Sequence, residues 1–149
     1  MAVPNGQNPN FDSVNVTGSG TGPSVLRAAK AIYSFATDGG AVSTITPNGT
    51  VALPANAVIV GATVNSTTAV LSAGAATVSI GTSAGSSATS ILAATGKASL
   101  SVNAILNGVP VLATPVKLTA AGSITFTVGT AALTAGVIEA VVYYYIAAA

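Results

Sequence analysis

Gly122-Ser123-Ile124-Thr125-Phe126-Thr127-Val128-Gly129-Thr130 alternates apolar and hydroxyl-bearing side chains between two glycines. Successive side chains of a strand point to opposite faces, so Ile124, Phe126 and Val128 share one face and the hydroxyls take the other. Gly74-Ala75-Ala76-Thr77-Val78-Ser79-Ile80-Gly81-Thr82 echoes this stretch position by position, with Ala76, Val78 and Ile80 on the apolar face. Two occurrences are too few for a solenoid, which needs at least three repeats. The echo therefore reads as a pair of equivalent strands in a two-sheet fold.

Outward from this pair, period two persists. Tyr33 and Phe35 alternate with Ile32 and Ser34 and run into Asp38-Gly39-Gly40, a strand ending in a tight reversal. Val42-Ser43-Thr44-Ile45, a Pro47-Asn48-Gly49 turn and Val51-Ala52-Leu53 follow. Residues 57 to 65 come next, with Val58, Val60, Ala62 and Val64 expected on one face. Turn signals recur every eight to twelve residues or so, the spacing of a sandwich or small barrel. Between the echo copies, residues 85–95 are expected to hold a helical turn, with Ile91 and Leu92 anchoring a loop. The expected fold is all-β, a β-sandwich or small barrel spanning residues 24–149, preceded by an extended N-terminal arm over residues 1–23.

The last strand, residues 136–146, has no polar face. Ile138, Ala140, Val142, Tyr144 and Ile146 line one side, and Val137, Glu139, Val141, Tyr143 and Tyr145 the other. A strand apolar on both sides is buried on both, either centrally or against another subunit. Glu139 is out of place there, because a buried carboxylate is costly unless paired. It sits either at an edge in water or in an ion pair between subunits, with Arg27, Lys30 or Lys117 as partner. The arm has linker composition, ending in Thr17-Gly18-Ser19-Gly20-Thr21-Gly22-Pro23. Within it Phe11, Val14 and Val16 make a short apolar alternation, enough for one strand if another chain offers an edge.

Composition narrows the function. Of 149 residues, 5% are charged against roughly 25% in ordinary soluble domains, and 50% are hydrophobic. There is no His and no Cys, and the carboxylates number three, Asp12, Asp38 and Glu139. Most catalytic and metal chemistry lacks its raw material, so no catalytic, cofactor or metal residues are expected. A hydroxyl nucleophile would need a Lys base, as in Lys97 near Ser101, and a solvated lysine beside a turn serine is the simpler reading. Four dispersed basic residues do not form a nucleic-acid patch. The mean hydropathy of +0.73 raises a membrane question for residues 39–96, which carry no charge. Pro47, Gly49, Pro54, Gly61 and Gly74 interrupt that stretch, so no membrane span is expected. Residues 1–7 lack the features of a signal peptide. Size allows about two-thirds of the surface to be buried, enough for one core.

Ile32-Tyr33-Ser34-Phe35-Ala36-Thr37-Asp38-Gly39-Gly40-Ala41-Val42, then Leu53-Pro54-Ala55-Asn56-Ala57-Val58-Ile59-Val60-Gly61-Ala62, resembles the start of small virion structural proteins of tailed bacteriophages. Residues 118–136, followed by the Tyr-rich strand, resemble their closing hairpin. The likeness covers roughly residues 31–146 and is greatest to head decoration, or cement, proteins. The near absence of charge and the Ser/Gly/Ala run of residues 79–90 depart from that pattern. The resemblance implies a β-sandwich or jelly-roll homotrimer clamped on the capsid surface, with the major capsid protein as partner, made in the host cytoplasm. Phe11, Val14, Val16, Glu139, Tyr143 and Tyr145 are the expected contact residues. The alternative is a tail-fibre or adhesin-like module binding cell-surface glycans. Sugar platforms want exposed rings, whereas this chain has no Trp and, apart from Phe11, its aromatics fall in strands read as core.

Overall fold

A computed structural model describes residues 25–147, and the arm with Phe11, Val14 and Val16 lies outside the described residues. The strands are β1 (Arg27–Ser34), β2 (Thr44–Ile45), β3 (Ala57–Leu71), β4 (Thr77–Thr82), β5 (Ser87–Gly96), β6 (Ala104–Asn107), β7 (Val116–Lys117), β8 (Ile124–Gly129) and β9 (Ala135–Ile146). They form two antiparallel sheets. The first has the order β1-β9-β3-β6, with β7 also on β3; the second has the order β2-β8-β4-β5.

The pairing is nested: β1 with β9, β2 with β8, β3 with β6 and β4 with β5. The chain is in effect one long antiparallel ribbon, doubled back between β4 and β5 and rolled so that its two ends share a sheet. This is the strand arrangement of a jelly roll, the jelly-roll-like β-sandwich that the resemblance implies, with β7 added.

The two echo strands are neighbours in the second sheet. β4 and β8 pair with Val78 opposite Val128, Ile80 opposite Phe126 and, at the centre, Ser79 opposite Thr127. Ser79 and Thr127 are equivalent positions of the echo, so the copies are related by a local two-fold between them. Their apolar faces are sealed: Val78, Ile80, Ile124, Phe126 and Val128 are all buried, and meet Tyr33, Ile59, Val64, Ile138 and Val142 of the first sheet in one core. The Tyr33 and Phe126 rings stack across the sandwich at 5.7 Å. The Tyr33 hydroxyl donates to the Gly39 carbonyl (2.6 Å), which satisfies the one polar atom this ring brings into the core.

Four local expectations are corrected. The first strand stops at Ser34, and Phe35–Asp38 forms a single helical turn. Asp38 holds it, accepting from the backbone N–H of Ser34 (2.9 Å) and of Asn48 (3.3 Å), so this carboxylate closes the turn as an acceptor that no strand offers. The segment at residues 42–45 pairs only through Thr44–Ile45, and residues 51–53 contribute one bridge, Leu53 with Gly122. The face of Val58, Val60, Ala62 and Val64 is split by a bulge between Ile59 and Gly61. An extra residue inverts the alternation, so Ala57 and Ile59 face the core before it and Ala62 and Val64 after it. Finally, residues 87–96 are a strand, and the helical turn is confined to Ala84–Ser86. β4 needs a partner on its free side, and the β-branched Thr89, Ile91 and Thr95 supply one.

Candidate assembly surface

β9 runs through the middle of the first sheet, between β1 and β3. Gly136, Ile138, Ala140, Val142 and Tyr144 are buried in the core, whereas Val137, Glu139, Val141, Tyr143 and Tyr145 face away from it. Residues directly opposite in an antiparallel ladder share a face. The register therefore lays Ile32, Glu139, Asn65 and Ile105 in one row across four strands, and Lys30, Val141, Thr63 and Asn107 in the next. Ala28, Tyr143 and Gly61 make a third row, and Tyr145, Val58 and Lys117 a fourth.

Three of the six expected contact residues, Glu139, Tyr143 and Tyr145, thus lie together on this outer face. Glu139 is not at a sheet edge. It stands at the centre, and Lys30 of the same chain reaches it diagonally from β1, Nζ to Oε2 at 3.3 Å. With side chains 56% and 30% exposed, this is a surface pair with little weight in stability. Its effect is on the face: it offsets the two charges at the centre of a face whose one further charge is Lys117, at the β7 edge. Tyr143 is 38% exposed, and its ring lies against Gly61, where a Cβ would sit 3.7 Å from it. Covering a strand glycine with a cross-strand ring is a familiar way to fill the gap that a missing side chain leaves. The aromatics are therefore divided: Tyr33, Phe126 and Tyr144 are buried, and Tyr143 looks outward.

Sequence reading missed several exposed apolar side chains. Leu26 is 60% exposed, Ile32 43%, Ile105 70% and Leu112 84%, and Val102, Val109 and Val111 are also exposed. A signal was present, since residues 98–116 contain no charge at all yet carry five of these side chains.

Elsewhere the hydroxyls serve the fold. A groove of about 310 Å³ beside β2 and β8 is lined by Thr44, Thr46, Thr82, Ser83 and Thr125 among others. Thr82 Oγ1 donates to the Ala84 carbonyl (2.9 Å), and Ser83 Oγ accepts from the Ser123 N–H (2.8 Å). The first closes the β4–β5 turn, and the second ties that turn to the start of β8. Lys97 donates to the Ser72 carbonyl, so its amine is directed at the backbone and not at Ser101. Burial, and then the nearby Asp38 carboxylate, hold the Tyr33 phenol above its ordinary value.

No protein-family model matches the chain, and no curated protein matches it. Solved structures do. A chain of the cyanophage Pam1 capsid asymmetric unit is similar over 82% of this chain and 85% of that one, with a TM-score of 0.61 and 19% identity. A chain of the acidic stable capsid of Helicobacter pylori bacteriophage KHP30 is similar over 84% and 90%, with a TM-score of 0.59 and 18% identity. A chain of the Ralstonia phage GP4 capsid is similar over 87% and 89%, with a TM-score of 0.63 and 16% identity. At these identities the likeness is one of fold.

Proposed function

We propose that this chain is a non-enzymatic structural protein of a tailed-bacteriophage virion, a decoration or cement protein that binds and stabilises the head shell as a homotrimer. The observation that carries the reading is the outer face of the first sheet: broad, apolar, with its central charges already paired. Away from Lys117 at its β7 edge, such a face can be laid against a neighbour without desolvating an unpaired ion. That all three similar structures are phage capsids supports the same reading. The major capsid protein is the partner, and the chain is made in the host cytoplasm and ends on the capsid surface. Glu139, Tyr143 and Tyr145 contribute to subunit or shell contacts. The arm, through Phe11, Val14 and Val16, adds a strand to a free edge of another chain or lies along the shell.

The test is to add purified protein to heads assembled without it. Saturable binding at a fixed ratio to the major capsid protein, with a rise in the shell's melting temperature, is the expected result. Heads that bind none of it, together with its recovery among tail components, would favour the glycan-binding alternative, for which the exposed ring of Tyr143 is a contact.

A further inference from the structure

Asn precedes Gly at Asn5-Gly6, Asn48-Gly49 and Asn107-Gly108, and the first of these pairs lies outside the described residues. Glycine has no Cβ, so in such a pair the main-chain nitrogen is least shielded from the amide carbon of the preceding side chain. The fold treats the other two pairs oppositely. Gly108 is fastened to the body: its N–H donates to the Ala62 carbonyl (2.8 Å), and a Cβ there would stand 2.5 Å from that of Ala62 and 2.8 Å from the Ile91 carbonyl oxygen. Its peptide plane is held by a bond and by packing. Asn48 and Gly49 are both exposed, in a turn closed by the Thr50 N–H (3.3 Å) and the Thr50 hydroxyl (2.8 Å), which donate to the Pro47 carbonyl. Gly49 has φ 75°, as the third residue of a type II turn requires. Nothing stands within 4 Å of where its Cβ would be, and its N–H has no hydrogen-bond partner among the described residues.

We propose that Asn48 is a site of spontaneous deamidation, selected by the fold over Asn107, and that its conversion to aspartate or isoaspartate removes the chain's net positive charge. In the first step the Gly49 main-chain nitrogen bonds to Asn48 Cγ, the Cγ–Nδ2 bond breaks, and the proton of the attacking nitrogen leaves with the side-chain nitrogen as ammonia. Water then opens the cyclic imide at either carbonyl, giving a side-chain carboxylate or an isopeptide whose main chain is longer by a carbon. The net change turns an amide and a water into a carboxylate and an ammonium ion. Ring closure requires the Asn48–Gly49 peptide plane to swing toward the side chain, and at this pair neither a bond nor a neighbour opposes it. The formal net charge of +1 then vanishes, and with it the self-repulsion that keeps copies apart in solution. Asp38 Oδ1 already accepts from the Asn48 N–H (3.3 Å), so the new carboxylate forms beside an existing one, and like charges oppose each other. This chemistry needs only water and is the same whether or not the chain binds a phage head.

The test is to hold the unmodified full-length protein in mildly alkaline buffer, folded and in denaturant, and to follow its peptides by mass spectrometry with the asparagine, aspartate and isoaspartate forms separated. In the folded protein, position 48 is expected to convert at least tenfold faster than position 107. In denaturant the two rates are expected to converge, because both residues precede glycine. Equal rates in the folded protein would overturn the proposal. So would a position 48 that converts in denaturant and stays intact in the folded chain. Asn48→Asp, which reproduces the charge, is expected to lower the melting temperature at low salt and to regain it at high salt, where the repulsion from Asp38 is screened. A variant that melts with the unmodified protein at both salt concentrations would overturn the coupling to Asp38.

Discussion

Tyr33 is the residue on which both sheets and the first turn converge. Its ring stacks on Phe126, its hydroxyl donates to the Gly39 carbonyl, and burial with Asp38 nearby raises its titration point above the usual value near 10. The folded state thus holds the phenolic proton more tightly than the unfolded chain does. Its contribution to stability is complete below about pH 10 and is lost as pH rises through the folded-state value. Denaturant melts of the unmodified chain are expected to lose stability as the pH is raised above about 10. Tyr33→Phe is expected to cost about 1 kcal/mol at neutral pH, for the lost hydrogen bond, and to flatten that alkaline fall. An unchanged alkaline slope in the variant would show that other groups govern it.

At the scale of elements, the close approach of β5 to β4 depends on an absent side chain. A Cβ at Gly81 would overlap the Ser87 carbonyl and the Ala88 backbone, so only glycine lets the ribbon double back here. Gly81→Ala is expected to destabilise the fold by about 1–3 kcal/mol, with thermal unfolding roughly 3–10 °C earlier. Gly96→Ala, at the far end of the same ladder, meets nothing within 4 Å and is expected to change stability by less than about 0.5 kcal/mol. Equal melting temperatures for the two variants would mean that β5 shifts freely. The bulge at Val60 acts in the opposite sense, by adding a residue. It turns Val58 outward to lie in the row of Tyr145 and Lys117, so that one long strand serves the core through both of its phases.

For the whole molecule, the described residues 25–147 already form both sheets and one shared core. Deleting residues 2–22 is therefore expected to leave the melting temperature largely intact while oligomer stability or head binding falls sharply. Scanning calorimetry and light scattering on the same preparation check the two halves of this prediction, and unchanged assembly would assign the contacts to the sandwich alone. What the linear chain determined by itself is the all-β class, the equivalence of residues 74–82 and 122–130, and the two-sided last strand. These follow from period-two alternation, a local property of strand geometry. It did not determine that the echo strands lie side by side, that Glu139 faces Lys30 from a central strand, or that Ile32 and Ile105 share a row. It placed no bulge at Val60 and no strand at residues 87–96. Those depend on register and on which edge lacks a partner, and register is fixed only when distant segments close on a common core.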